Sequence, residues 1–155
     1  MNASSDRLDP VRRRLVADGP EEAVRQAFLR YLLEERSIPR GLISVESGVS
    51  GASGSTAPRT RDSGRTDIVV HDRTGRPWML IECKAPDVPL DQSVWNQAAR
   101  YNRVLDARYV LVTNGRRHLC AEVQEAKDES PDGASFLATF PEYPDMKNDD
   151  RSIDD

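Results

Sequence analysis

The stretch Thr66–Pro86, TDIVVHDRTGRPWMLIECKAP, decides how this chain folds. Its two mostly apolar runs, TDIVVH and WMLIECK, flank a turn that contains Gly75. Apolar runs of this length on either side of a glycine turn are typical of a β-hairpin. The strands nevertheless carry Asp67, Glu82 and Lys84 among their apolar residues. Charged groups inside apolar strands require a chemical reason.

The simplest hairpin register has an even-membered turn centred between Thr74 and Gly75. It places Asp67 directly opposite Glu82, and Lys84 lies one pleat further along, about 6.6–7 Å away. The three charged residues then converge at one end of the hairpin. The same register predicts one apolar face made of Ile68, Val70, Met79 and Ile81, and it places Val69, Leu80, His71 and Trp78 on the charged side.

A second register is open at this stage. A three-residue loop closed by a bulge at Gly75 pairs Asp72 with Arg76. That register sends Asp67 and Glu82 to opposite faces of the sheet.

Two carboxylates that face each other repel unless a cation compensates. Mg²⁺ prefers carboxylate oxygens and water, and it usually takes only one or two protein carboxylates. A lysine beside the ion orients or deprotonates a water, or neutralises a phosphate. Asp67, Glu82 and Lys84 therefore point to phosphodiester hydrolysis. The alternative is a Glu-x-Lys triplet on a solvated strand face, which a highly charged chain produces by chance.

Periodicity and turn residues predict the remaining elements. We expect a flexible or loosely helical lead-in over residues 1–19, one domain over 20–123, and an acidic, partly disordered tail over 124–155. Aromatic and leucine residues between 136 and 143 are expected to dock a short piece of this tail on the body. The expected order is a helix from Pro20, a strand over 41–49, a loop over 50–64, the hairpin, a second helix, and strands over 108–113 and 118–123.

Each predicted helix has an apolar inner stripe. In the first helix the stripe consists of Val24, Ala27, Phe28, Tyr31 and Leu32. The second helix runs from Gln92 to about Asp106 and is capped by Asp91; its stripe consists of Val94, Gln97, Ala98, Tyr101, Val104 and Leu105.

Charge is distributed unevenly along the chain. The last 32 residues carry ten acids and three bases, a net of −7, so the preceding 123 carry +3 within the total of −4. A mildly basic body permits DNA binding. No apolar run is long enough for a membrane span, and two cysteines without metal-ligand spacing indicate a cytoplasmic protein with reduced thiols.

Asp67 followed by Glu82-Cys83-Lys84 at the ends of paired strands resembles the PD-(D/E)xK nuclease superfamily. Gln97 to Tyr101, QAARY, is similar to the QxxxY signature of several of its branches. The resemblance implies an α/β fold, with a restriction-endonuclease-like αβββαβ core and a mixed sheet flanked by helices. Thr66 stands where the superfamily's proline would be.

Residues 20–123 resemble more closely the N-terminal nuclease domain of type I restriction enzyme R subunits. That resemblance implies DNA cleavage with Mg²⁺, for which Mn²⁺ substitutes. Asp67, Glu82 and the Cys83 carbonyl would be metal ligands and Lys84 the catalytic lysine. An acid on the first helix often joins such sites; Glu21, which lies nearer the apolar stripe than Glu22, is preferred, although both glutamates also suit a helix N-terminus.

Three functions remain as hypotheses: a small stand-alone endonuclease, a nuclease-fold module that binds DNA or protein with weak cleavage, and an interaction protein. The chain has no phosphate loop for the family's translocating motor, so partner subunits or a homo-oligomer are possible associates. DNA contact is expected from residues beside the site and in the second turn: Arg59, Arg61, Arg65, Tyr101, Arg116 and Arg117.

Overall fold

The computed structural model describes residues 7–13, 15–16, 19–45, 67–123 and 134–144. Two short strands, β1 Arg7–Leu8 and β2 Leu15–Val16, precede a six-stranded mixed sheet. The strands of that sheet are β3 Ile43–Val45, β4 Ile68–His71, β5 Pro77–Cys83, β6 Tyr109–Thr113, β7 His118–Val123 and β8 Ala134–Leu137. They lie in the order β3-β4-β5-β6-β7-β8. In this sheet β5 and β6 are parallel, and every other neighbouring pair is antiparallel. The predicted α/β fold with a mixed sheet is confirmed.

One helix covers each face of the sheet. Helix α1, Pro20–Arg30, starts at the predicted proline and runs into a π-helical turn, Tyr31–Glu35. It packs with Ile68, Met79 and Ile81 on one face. Helix α2, Gln92–Leu105, covers Leu80 and other apolar residues of the opposite face. It is also the crossover that a parallel β5–β6 pair requires.

The ends of helix α2 are defined by local chemistry. The Asp91 side chain accepts the backbone N–H of Val94 at 3.1 Å, which is the predicted N-cap. Asp106 ends the helix in the left-handed conformation, with φ 59°. These caps fix where the helix that carries Gln97 and Tyr101 begins and ends.

Several inner-stripe predictions were wrong. Ala27 and Val104 are exposed, and the exposed fraction of Val104 is 64%. Buried positions that periodicity missed include Gln26 and Asn102. Asn102 is buried because its side chain holds the Ala107 backbone through two hydrogen bonds of 2.9 Å. Hydrogen-bond satisfaction, which apolar periodicity does not register, accounts for that polar position.

The chain before α1 differs from the expected flexible or loosely helical lead-in. Residues Arg7–Leu8 (β1) pair with Leu15–Val16 (β2) in a small antiparallel sheet. Asp9, between them, is fully buried and accepts the side-chain amide of Gln26 at 2.9 Å. The hydrogen bond between Asp9 and Gln26 therefore joins this stretch to α1.

The strand predicted over residues 41–49 begins two residues later in the structure. A 3-10 turn, Arg40–Leu42, occupies its start, and β3 follows over Ile43–Val45. Residues 46–49 lie outside the described residues, as does the loop predicted over 50–64 and the end of the tail. Ile43 and Val45 both pack on the α1 face.

A piece of the tail packs on the body as predicted. Strand β8 extends the sheet beside β7. Phe140 and Tyr143 lie against the α1-face core, and the Tyr143 hydroxyl donates to the carbonyl of His71 at 2.6 Å. Phe136 remains 60% exposed although its ring contacts Trp95.

The hairpin combines features of both predicted registers. At its tip, Asp72 donates its backbone N–H to the carbonyl of Arg76, as the three-residue loop with Gly75 requires. A bulge between Val70 and His71 then restores the first register, so that Ile68 pairs with Ile81. The bulge therefore leaves the strand ends in the register that places Asp67 opposite Glu82.

The same bulge overturns two placements. His71 pairs with Pro77 instead of Trp78. Trp78 lies with its neighbour Met79 in the α1-face core, although it was predicted on the opposite side. An extra residue in one strand breaks the alternation of faces locally, which puts two consecutive side chains on one side.

Candidate active site

The predicted charged residues meet at one end of the hairpin. Asp67 immediately precedes β4, Glu82 is the penultimate residue of β5, and Lys84 follows β5 directly. The Lys84 ammonium Nζ lies 3.6 Å from Glu82 Oε1. The backbone N–H of Lys84 donates to the carbonyl of Thr113 at 2.8 Å, so the neighbouring parallel strand holds the residue in place. The hairpin thus assembles two acids and an ammonium group.

Asp67 is buried, with 8% of the residue exposed. Its Oδ2 accepts the backbone N–H of Cys83 at 2.8 Å, and its Oδ1 accepts Arg25 Nη2 at 2.7 Å. Both oxygens of the carboxylate are therefore held, one by the hairpin and one by α1.

Glu82 is buried in a less favourable environment. Its exposed fraction is 6%, and among the described residues its Oε2 atom has no hydrogen-bond partner. Burial, reinforced by the Asp67 carboxylate, raises the pKa of Glu82 to about 8, against the opposing effect of Lys84. A carboxylate with an unpaired buried oxygen favours the approach of a proton or a cation.

Helix α2 supplies a glutamine to this end of the sheet. Lys84 Nζ donates to Gln97 Oε1 at 3.2 Å, and Gln97 Nε2 donates to the Tyr101 hydroxyl at 3.3 Å. The half-buried Gln97 therefore satisfies its side-chain carbonyl with the site lysine. The glutamine and tyrosine of the QAARY segment act together to orient Lys84.

The two glutamates at the start of α1 have different environments. The side chain of Glu21 is 51% exposed and that of Glu22 only 13%, so the expectation that Glu21 lies nearer the apolar stripe was wrong. Burial and the nearby Asp67 carboxylate raise the pKa of Glu21, whereas Arg25 and Lys84 oppose that rise. Glu22 instead binds Arg25, Arg12 and Gln26. Glu21 is consequently the glutamate whose charge interacts with Asp67 and Lys84.

Arg25 is the site residue that the sequence reasoning missed. It is 5% exposed and joins Asp67 to Glu22. Its spacing from Glu21 and Glu22, four and three positions along a helix, is a visible signal of local ion pairing. Its contact with Asp67, 42 residues away, has no local signal.

The carboxylates at this end of the hairpin suit the needs of a divalent cation that keeps most of its water. Within the parts of the chain that the structure describes, no three His, Cys, Asp or Glu side chains already form a metal-ligand cluster. Mg²⁺, however, retains several waters and needs only one or two carboxylates. The buried Glu82 Oε2, which has no hydrogen-bond partner among the described residues and lies beside Asp67, fits that modest requirement.

The arginines predicted to contact DNA fall into two groups. Arg116 and Arg117 are exposed in the β6–β7 turn, where Asn114 Oδ1 accepts both of their backbone N–H groups at 2.9 and 2.8 Å. Arg59, Arg61 and Arg65 lie outside the described residues. Tyr101 is half-buried, and its hydroxyl is the acceptor for Gln97.

Of the two histidines, His71 is half-buried and His118 is exposed. His118 Nδ1 lies 2.7 Å from Thr113 Oγ1.

Across the residues with described positions, no helix combines the length and the apolar character needed to cross a membrane.

Comparison with known proteins places this chain in a family. No curated protein matches the chain. The family described as "Type I restriction enzyme R protein N terminus (HSDR_N)" matches residues 20–141, which covers α1, the hairpin, α2 and strands β6 to β8. The chain belongs to the family of type I restriction enzyme R protein N-termini.

Proposed function

We propose that this chain is a Mg²⁺-dependent DNA endonuclease of restriction type, a small relative of the R-subunit nuclease domain. The family supports a restriction-related, nuclease-like domain. The observation that carries the finer proposal is the meeting of Asp67, Glu82 and Lys84 at one end of the hairpin. Within the described part of the chain, Glu82 Oε2 has no hydrogen-bond partner there.

Each side chain has a role that its environment supports. Asp67 and Glu82 would hold the ion, with the Cys83 carbonyl and Glu21 as further ligands. A bound Mg²⁺ would supply Lewis-acid stabilisation of charge on the phosphate. Lys84 would orient the attacking water and neutralise charge on the phosphate, held towards that task by Gln97. Hydrolysis would form a P–O bond from the attacking water and break the ester P–O bond, and the leaving sugar oxygen would take up a proton equivalent to the one that the water loses.

Plasmid nicking tests this proposal. The parent protein is expected to nick supercoiled DNA when Mg²⁺ or Mn²⁺ is added, and Asp67→Ala and Lys84→Ala are expected to lose that activity. Glu34→Ala, which changes an exposed acid on the π-helical turn, is the matched control and should cut like the parent. Undiminished cutting by both site variants would show that the assignment is wrong.

A second candidate is a nuclease-fold module that binds DNA, acts with partner subunits and cleaves weakly. It is favoured by the engagement of both Asp67 oxygens by Arg25 and Cys83. DNA binding that weakens steeply with salt, without nicking under any metal condition, would favour this candidate over the first.

A further inference from the structure

One nitrogen atom lies between two of the proposed metal ligands. Arg25 Nη2 is 2.7 Å from Asp67 Oδ1 and 3.8 Å from Glu21 Oε1. Arg25 is almost wholly buried, with 5% exposed. The guanidinium of Arg25 therefore already provides a positive charge close to the carboxylates of both Asp67 and Glu21.

The guanidinium is also held from its other side. Arg25 Nη1 donates to Glu22 Oε2. The second oxygen of Glu22 accepts Gln26 Nε2 at 2.8 Å and Arg12 Nη2 at 3.3 Å. Glu22 is therefore a fixed anchor from which Arg25 reaches Asp67.

We propose that Arg25 is a resident counter-cation of the site and competes with the divalent ion for Asp67, so that metal loading requires Arg25 to withdraw towards Glu22. This inference rests on the proposed metal site. Cys83 already engages Asp67 Oδ2, so Oδ1 is the oxygen for which Arg25 and the ion compete. Two cations that share one buried carboxylate repel each other strongly, since screening there is weaker than in water.

The resident cation also explains how the facing acids are tolerated before an ion binds. The Arg25 charge offsets the carboxylate of Asp67, and Glu22 offsets part of the charge of Arg25. Such a paired network avoids leaving a buried charge alone. Arg25 is thus a positioning residue that sets the affinity for metal.

Calorimetric titration of Mn²⁺ in the absence of DNA measures this competition. Arg25→Gln removes the charge but keeps an amide donor, and we expect it to bind Mn²⁺ about tenfold more tightly than the parent, or better. Arg25→Lys retains a cation and should stay close to the parent. Arg12→Gln is the matched control, because it removes one positive charge from the same network at Glu22 without touching Asp67; its affinity should change by less than roughly threefold.

A second measurement uses the unaltered protein and does not depend on the folding of a variant. In ¹⁵N-arginine NMR, the guanidinium resonances of a buried, ion-paired Arg25 should be protected from exchange. Adding Mg²⁺ should shift those resonances, since the proposal moves Arg25 off Asp67. Arg25 resonances that stay unchanged at a Mg²⁺ concentration that saturates the site would overturn the proposal.

The outcomes separate this inference from the proposed nuclease function. If Arg25→Gln binds Mn²⁺ more tightly and neither the parent nor the variant cleaves DNA, the role of Arg25 as resident counter-cation is supported and the proposed nuclease function is excluded. Metal-dependent cleavage by the parent, with equal or weaker Mn²⁺ binding by folded Arg25→Gln, overturns the inference and leaves the nuclease standing. The absence of Mn²⁺ binding in both proteins overturns both.

Discussion

The Lys84 ammonium donates a hydrogen bond of 3.2 Å to the side-chain carbonyl of Gln97, which joins the end of the hairpin to helix α2. Gln97 in turn donates to the Tyr101 hydroxyl. The lysine proposed to act on water and phosphate is therefore oriented by a residue from a different element. Its orientation depends on the docking of α2 as well as on the hairpin.

Replacing Gln97 with leucine should lower the cleavage rate by about 10–100-fold at saturating Mg²⁺, the usual cost of losing a residue that orients a site. Mn²⁺ affinity measured by calorimetry should change little, because Gln97 contacts Lys84 and not the carboxylates. Tyr101→Phe removes only the outer hydrogen bond and serves as the milder comparison. An equal cleavage rate for Gln97→Leu and the parent would remove Gln97 from this role.

Because Glu82 is buried, we expect the free energy of unfolding to depend on pH when no divalent ion is present. Its pKa is about 8 in the folded protein and near 4.5 as an ordinary glutamate. Between these values the folded state holds a proton that the unfolded state has lost, so the free energy of unfolding falls as pH rises. The protonated carboxyl's contribution is complete below about pH 4.5 and is lost as pH passes about 8.

Urea denaturation in EDTA between pH 5 and 9 checks this dependence. Glu82→Gln, which imitates the protonated form, should flatten the curve by roughly a few kcal/mol across the window. Glu34→Gln, an exposed position, should leave the slope as in the parent. A parent stability that rises through the same window would contradict the assignment to Glu82.

Trp78 should be essential for stability because the hairpin bulge turns it into the core. It is 4% exposed, and its ring centroid lies 5.2 Å from those of both Tyr109 and Tyr143. Trp78→Ala is expected to lower the free energy of unfolding by about 3–5 kcal/mol. Trp95→Ala removes a half-buried tryptophan from the other face and should cost clearly less; equal costs would argue against the bulged placement.

We expect Arg116 and Arg117 to contribute to the salt dependence of DNA affinity. Their exposed side chains leave a turn held by Asn114, so both are available to phosphates. If each contacts one phosphate, the double variant Arg116→Ala/Arg117→Ala should reduce the slope of log affinity against log salt by about 1.8. Fluorescence anisotropy across a salt series measures the slope, and Arg40→Ala, an exposed arginine before β3, is the control. An unchanged slope would exclude both arginines from phosphate contact.

Much of the fold follows from local patterns. The start of α1 at Pro20, the Asp91 cap of α2 and strand β7 over His118–Val123 were all predicted as observed. Each depends on residues within one turn or one strand of each other. Asn102, by contrast, is buried through a hydrogen bond to Ala107, which apolar periodicity does not detect.

The sequence by itself determined the start of α1, the capped helix α2 and the two hairpin strands whose ends carry Asp67 and Glu82, because capping, alternation and turn chemistry act over short stretches of chain. It left two hairpin registers open, and the bulge between Val70 and His71 in the structure selected the one that places Asp67 opposite Glu82. Only the tertiary structure decided that Arg25 lies on Asp67, that Gln97 receives Lys84 and that Trp78 enters the core. Two of these are contacts between separate elements, and the third follows from a bulge whose position local periodicity does not reveal. These three placements pair buried polar groups and fill the core. Both requirements involve several elements at once, so no single segment of the sequence reveals them.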